Sequence, residues 1–211
     1  KSLFVASEGT VDEAFRGEST TLEGLKLRRA ILSWGNYLLL KERFPFIEPV
    51  SLRERRTTVG CGDRLGLATP GHLRGVADYD VAPVLAQQSI RELTLTDRTY
   101  EGVVTDAAFL VYQEGYRGGY GADGDHLKTI ADIDVALAAG MPMITLDLTE
   151  VMNPNPADWS SAAIEEAYEA LEESTRVTVG REYIGKTFQV GPSEITLSPE
   201  EAKKCALMYW K

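Results

Sequence analysis

Short apolar runs that break off into polar, chargeable residues recur along this chain. Residues 57–60 run into CGDRLG, residues 81–86 lead into QQSIRE, and residues 141–146 lead into DLTE. A further break, GYGADGDHLKT, occupies residues 119–129. Apolar runs of this length between turn-forming residues are typical of buried β-strands.

Helical patterns separate the later breaks. Residues 100–116 place Val103 and Ala107 on one apolar face, and residues 130–139 end at Gly140, a common signal for a helix C-terminus. Strands that alternate with helices form a parallel α/β sheet, in which right-handed crossovers bring the carboxyl ends of the strands to one edge. The sequence therefore predicts that the polar breaks converge on one site.

The break at residues 119–129 holds the densest chargeable cluster, made of Asp123, Asp125, His126 and Lys128. It has too many glycines for a helix and too much charge for a core, which predicts a loop that holds a ligand. The alternative is a solvated turn whose carboxylates cap the next helix. Its place among similar breaks favours the ligand site.

The pattern differs on either side of these runs. Residues 22–44 interleave leucines with Lys and Arg at helical spacing, which predicts a long helix within an N-terminal helical extension over residues 1–55. Around residues 164–173, apolar residues lie at helical spacing and glutamates occupy the opposite face, which predicts a helix. At residues 176–196, short runs of β-branched residues are interrupted by glycines, which predicts a small antiparallel insertion or lid.

The last stretch opens with a helix-capping sequence. Ser198 and Glu201 form a capping box around Pro199, and apolar residues follow at helical spacing. No stop signal precedes Lys211, and the chain begins at Lys1 without Met. These features favour a piece of a longer polypeptide.

The charge balance limits the classes of partner that the chain can bind. With 22 Lys and Arg against 32 Asp and Glu, the net charge of -10 argues against nucleic-acid or anionic-membrane binding, so local Arg or Lys must hold any anionic ligand. Cys61 and Cys205 lack CxxC spacing, which argues against a disulfide framework or a zinc finger. The sequence contains no signal-peptide core or membrane span. A cytoplasmic setting fits best.

Individual side chains at the breaks suggest acid–base or metal chemistry. His126 is well placed for either, because the neighbouring Asp125 can fix its tautomer, whereas His72 is as readily structural. Cys61 could be a nucleophile but is more simply apolar filler at a strand end. Glu92 could supply a carboxylate to the shared edge, or simply favour the first turn of a helix.

Arginines near the breaks could bind an anion. Arg64, Arg74 and Arg91 lie closest to the polar ends, and a planar guanidinium suits a carboxylate or a phosphate. Arg64 could equally pair with its neighbour Asp63. The sequence thus supports an anionic ligand without fixing its identity.

Four blocks, taken in order, resemble the tagaturonate epimerase family. They are CGDRLGLATPGHLR, VLAQQSIRE, YGADGDHLKT and MITLDLTEV, within residues 56–211. Before residue 56 the likeness is loose. The resemblance implies the N-terminal half of a TIM-type (β/α) barrel over residues 56–211, with a small insertion around residues 153–197, that interconverts D-tagaturonate and D-fructuronate with a divalent metal ion.

The chemistry that the resemblance implies is a retro-aldol cleavage followed by re-addition, assisted by the metal, because the inverted carbon is β to the ketone and enolisation cannot invert it. Carried onto this chain, the catalytic residues are Glu92, Asp63 and His126, and Glu92 also faces the metal, whose other ligands lie outside these residues. The residues expected to bind the ketohexuronate substrate are Arg64, Gln87, Gln88, Arg91, Asp125 and Lys128.

Two other functions stay open at this point. One is a different metal-dependent sugar isomerase or aldolase on the same barrel, and the other is a non-catalytic module that binds sugar acids. If the chain is a fragment it lacks a complete site and is inactive alone, and an open sheet edge then favours a homo-oligomer.

Overall fold

The computed structural model describes residues 3–6 and 12–210. The chain divides into two compact units, Lys1–Leu146 and Asp147–Lys211. No helix among the described residues is long and apolar enough to cross a membrane.

The first unit opens with a small antiparallel sheet in the order β1-β3-β2, followed by a helix. These elements are β1 (Leu3–Val5), β2 (Gly17–Leu22), β3 (Leu25–Ala30) and α1 (Trp34–Arg43). The prediction of one helix over residues 22–44 is therefore wrong for its first half. Glu23 and Gly24 both adopt positive φ and join β2 to β3 in a two-residue hairpin turn. The helix begins only after Ser33, whose side chain caps α1.

The described residues within 1–55 thus do not form a helical extension. Phe15, Tyr37 and Ile47 are buried in the same hydrophobic core as Val104 and Tyr120. The Tyr120 hydroxyl donates to the carbonyl of Ile47 at 2.6 Å. The N-terminal residues pack as part of the first unit.

A four-stranded parallel sheet forms the rest of the first unit, in the order β4-β5-β6-β7. Its strands and helices are β4 (Thr58–Gly60), α2 (Thr69–Val76), β5 (Ala82–Ser89), α3 (Ile90–Thr96), α4 (Tyr100–Glu114), β6 (Gly121–Leu127), α5 (Ile130–Ala138) and β7 (Met143–Leu146). The parallel α/β prediction is confirmed, and the sheet is curled. Residues 82–86 of β5 are all buried, as expected for a strand covered on both faces.

The segment predicted as a ligand-holding loop is β6 itself. Gly121 and Gly124 allow neighbouring side chains to pack closely against β6. A Cβ on Gly121 would lie 2.8 Å from Leu52, and one on Gly124 would lie 2.9 Å from Ala136. Asp123 between them is 1% exposed. Of the charged cluster that argued for a loop, Asp123 is therefore buried within a strand, whereas His126 and Lys128 are exposed.

The predicted helices of this unit are confirmed as α4 and α5, and Gly140 ends the second at φ 78°. The sequence TPGHLRG, which contains His72, forms most of α2. Asp63 holds the turn that leads into it, as described below.

The second unit has a small core of its own around Tyr168, Val179 and Ala206. It contains α6 (Ser161–Glu169), α7 (Glu173–Glu182), β8 (Thr187–Val190), β9 (Ser193–Thr196) and α8 (Pro199–Tyr209). The predicted acidic helix and the capping box of the last helix are confirmed. The antiparallel element is limited to the β8–β9 hairpin, because residues 173–182 are helical.

Candidate active site

Polar side chains gather at the carboxyl ends of the parallel strands in the first unit. Gln87 on β5 pairs in register with Asp123 on β6, and Ser89 pairs with Asp125. Glu92 lies in the first turn of α3, directly after β5. The predicted convergence of β5 and β6 is thus present.

Asp123 is the most buried carboxylate of this edge. It accepts a hydrogen bond from Gln87 Nε2 at 3.0 Å, and Thr145 Oγ1 lies 2.9 Å from Oδ2 and 3.1 Å from Oδ1. Burial raises the pKa of Asp123, the Thr145 and Gln87 hydrogen bonds oppose the shift, and the nearby Asp125 carboxylate adds to it. One acidic side chain therefore links three neighbouring strands.

Glu92 combines a helix cap with an ion pair. Its Oε2 accepts from the Ser89 backbone N–H at 3.1 Å, completing a capping box, and its Oε1 accepts from Arg64 Nε at 2.7 Å. Burial alone would raise the pKa of Glu92, but the Ser89 N–H and the Arg64 guanidinium outweigh burial and hold that pKa below its ordinary value. Arg64 therefore pairs with Glu92 across the loop after β4.

Asp63 shapes that loop. It is buried, its Oδ1 accepts from the Leu65 N–H at 3.1 Å, and its Oδ2 accepts from the Ala68 N–H at 2.7 Å. The carboxylate fixes the turn before α2 and with it the position of Arg64. Asp63 was predicted to be catalytic, but both of its carboxylate oxygens bond to the backbone of this turn.

Gln88 faces away from Gln87, as alternate strand residues do. It is fully buried, its Nε2 donates to Thr96 Oγ1 at 3.1 Å, and its Oε1 accepts from Arg98 Nη1 at 2.7 Å. Both ends of its amide are satisfied inside the protein. The structure therefore separates the two glutamines that the sequence analysis assigned together to substrate binding.

Asp125 and His126 end β6 as a contacting pair. His126 Nδ1 lies 2.7 Å from Asp125 Oδ1, so the contact expected to fix the imidazole tautomer is formed. His126 adopts a left-handed φ of 54°, and 63% of its side chain is exposed. The pair is accessible at the rim of the sheet edge.

The two remaining cations expected to bind substrate are exposed. Arg91 precedes Glu92 on α3, and Lys128 follows β6 directly. Arg74 lies on α2 and pairs with Glu114 of α4 at 3.5 Å. Arg91 and Lys128 therefore border the edge, whereas Arg74 is engaged between two helices.

The two residues with weaker assignments have structural surroundings. His72 lies within α2, and its Nδ1 is buried without a hydrogen-bond partner among the described residues. Burial raises the pKa of the Cys61 thiol, which makes it a poor nucleophile. Cys61 and Cys205 are both free.

Comparison with known proteins decides the family. A sequence profile of the tagaturonate epimerase family matches residues 1–211. The chain belongs to the tagaturonate epimerase family. The match includes residues 1–55, where the sequence blocks alone gave only a loose likeness.

Two relatives of this epimerase family chain carry the same name. The tagaturonate/fructuronate epimerase of Thermotoga maritima is 34% identical over 211 residues, which is 100% of this chain and 43% of the relative. A crystal structure of fructuronate-tagaturonate epimerase from Cohnella laeviribosi with one glycerol matches with a TM-score of 0.82 at 42% identity, covering 99% of this chain and 42% of that one. The native crystal structure of the same enzyme gives 0.78 at 44% identity, covering 93% and 39%. The chain thus spans less than half the length of these relatives.

The described residues of this epimerase family member do not by themselves form a complete metal centre. They contain no group of three or more His, Cys, Asp or Glu side chains arranged to hold an ion. Both oxygens of Glu92, the predicted ligand, are already engaged by Arg64 and Ser89. A divalent metal ion remains a prediction from the family resemblance.

Two residues of the site were not predicted from the sequence. Asp123 was noticed only as part of a polar cluster, and Arg98 was not considered. Arg98 donates to the carbonyl of Asp63 at 3.2 Å and to Gln88 at 2.7 Å, and it pairs with Asp106 of α4 at 2.6 Å. Its position after the left-handed cap of α3 at Asp97 gave no signal of this role.

Proposed function

We propose that this chain supplies part of the active site of an isomerase that interconverts D-tagaturonate and D-fructuronate. The observation that carries the proposal is the ionised Glu92, paired with Arg64 at the carboxyl edge of the sheet, in a chain of this family. Four parallel strands alternating with helices support a TIM-type barrel of which this sheet is one part. In such barrels the strand carboxyl ends carry the chemistry.

The two ketohexuronates differ at the carbon that bears the hydroxyl β to the ketone. A base removes the proton of that hydroxyl, the bond between the α and β carbons breaks, and the electron pair passes into an enolate while the β carbon becomes an aldehyde. The aldehyde then presents its other face, the enolate re-adds to it, and the proton returns to the new hydroxyl. Each step conserves atoms and electrons.

Glu92 is the proposed base. Its lowered pKa keeps it ionised at neutral pH, as proton acceptance requires, although the same ion pair weakens its basicity. A substrate carboxylate that engages Arg64 would compete with Glu92 for the guanidinium and raise the pKa of Glu92. Substrate binding would in this way strengthen the base.

The surrounding side chains have proposed binding roles. Gln87 contacts a substrate hydroxyl, and the exposed Arg91 and Lys128 at the rim attract the uronate carboxylate. The Asp125–His126 pair can relay a proton with the imidazole held by one nitrogen. A uronate is therefore favoured over a neutral sugar.

To test the proposal, the turnover of D-tagaturonate is measured by NMR in the protein that contains this chain. Glu92→Gln removes the base and keeps the shape, so we expect a loss of about 10²- to 10⁴-fold in kcat. Glu101→Gln, at an exposed site in the first turn of α4, is the matched control and should keep full activity. Undiminished turnover by Glu92→Gln would refute its role as the base, and faster turnover of D-tagatose than of D-tagaturonate would refute the uronate assignment.

A further inference from the structure

Three polar side chains on neighbouring strands form one connected row. Gln87 of β5, Asp123 of β6 and Thr145 of β7 are joined by hydrogen bonds of 2.9 to 3.1 Å, with Asp123 in the middle. A carboxylate that is 1% exposed is costly to bury unless it is hydrogen-bonded, and these two neighbours supply the donors. The row is thus a dedicated arrangement around one buried acid.

Asp123 decides which way the Gln87 amide faces. Gln87 Nε2 donates to Asp123 Oδ2 at 3.0 Å, so the amide nitrogen faces Asp123 and the amide oxygen turns away. The oxygen lies over Gly60 of β4, where a Cβ would stand 2.7 Å from Oε1. The absence of a side chain at Gly60 leaves room for this acceptor.

We propose that Asp123 is a positioning residue that orients Gln87 so that its carbonyl oxygen, rather than its amide nitrogen, is presented at the β4 side of the substrate site. The inference rests on the proposed function, in which Gln87 contacts a substrate hydroxyl. An acceptor at this point selects a hydroxyl that donates. Asp123 itself is too buried to serve as the contacting group.

Exchanging the acid and the amide tests the orientation. Gln87 Nε2 and Thr145 Oγ1 both contact Asp123 Oδ2, so Asp123→Asn can keep both hydrogen bonds on its amide oxygen. Asp123→Leu instead removes the acceptor, so that nothing on β6 holds the Gln87 nitrogen. Gln87→Glu places two carboxylates against each other. The double variant Asp123→Asn/Gln87→Glu restores one carboxylate and one amide in exchanged positions, and an acceptor again faces Gly60.

We expect Asp123→Leu and Gln87→Glu each to lower kcat/KM for D-tagaturonate at least tenfold, and the double variant Asp123→Asn/Gln87→Glu to recover most of the Gln87→Glu loss. Asp134→Asn, at an exposed aspartate on α5, is the control and should keep wild-type kinetics. The side-chain amide NMR resonance of Gln87 should shift in Asp123→Leu and remain unchanged in Asp134→Asn. A purely structural role would change thermal stability without this reciprocal rescue.

Two results would overturn the proposal. One is an active wild type in which Asp123→Leu keeps kcat and KM within twofold, and the other is a double variant that loses as much activity as Gln87→Glu alone. If the wild type neither binds nor converts D-tagaturonate, the proposed function fails. In that case an unshifted Gln87 resonance in Asp123→Leu still refutes the orientation, and a shifted one supports it.

Discussion

At the scale of single residues, the Glu92–Arg64 pair sets the chemistry of the edge. The guanidinium lies against Oε1 while the Ser89 N–H holds Oε2, so the carboxylate is fixed at both oxygens. The folded-state pKa of Glu92 lies below its unfolded value, so between these two values the unfolded chain binds more protons. The stability that Glu92 contributes is present above the unfolded pKa and is lost as pH falls through the folded pKa.

Arg64→Gln should move the acidic limb of the pH profile of kcat/KM to higher pH. The substitution removes the guanidinium that lowers the pKa of Glu92, so the base becomes protonated at a higher pH. Arg74→Gln, whose guanidinium pairs with Glu114 on the helices, is the control and should leave the limb in place. An acidic limb that does not move in Arg64→Gln would show that Glu92 is not the titrating base.

The role of a residue could be predicted from the sequence where the residue follows the end of a strand, but not where the role depends on burial. Glu92 and Arg64 were both named from their positions after apolar runs, and the structure brings them into contact. Asp123 was placed in a ligand-holding loop rather than a strand, because a sequence cannot show that Gln87 and Thr145 would supply its hydrogen bonds. The buried role of Gln88 depends likewise on Arg98, a partner outside every recognised block.

At the scale of elements, Arg98 ties the loop after β4, the end of β5 and helix α4 together. One guanidinium reaches the Asp63 carbonyl, the Gln88 amide and the Asp106 carboxylate. A planar group with five donors suits such a three-way contact. The loop that carries Arg64 therefore depends on Arg98, whose side chain is only 13% exposed.

Arg98→Met should destabilise the first unit by about 1–3 kcal/mol, because the buried Gln88 oxygen loses its partner. It should also lower kcat/KM as the Asp63 loop loosens. Urea unfolding and steady-state kinetics measure the two effects. Arg53→Met, at a highly exposed site, is the control and should change neither. Unfolding of Arg98→Met at the wild-type urea midpoint would contradict the role of Arg98.

Element type could be predicted where caps and periodicity agreed. The helices predicted over residues 100–116 and 130–139 are present with their expected ends. The last helix has the capping box predicted from Ser198 and Glu201. The β2–β3 hairpin was missed because leucines two apart on a strand were interpreted as part of a helical face, while the turn at Gly24 was overlooked.

At the scale of the whole molecule, the first unit holds the candidate site and most of the family's sequence blocks. Its N-terminal residues share the core with α4 and β6, which explains why the family match extends over residues 1–55. The sequence blocks could not show this packing, because a shared core depends on contacts far apart in the chain. The second unit carries its own small core and a β-hairpin.

In the proposed function, a uronate binds at the carboxyl edge of the parallel sheet. Titration of the isotope-labelled protein with D-tagaturonate, followed by backbone amide NMR, tests this binding. We expect the largest shifts at Arg64, Gln87, Glu92 and Asp125, and much smaller shifts with D-tagatose. Shifts confined to the second unit, or equal responses to the uronate and the neutral sugar, would contradict the claim.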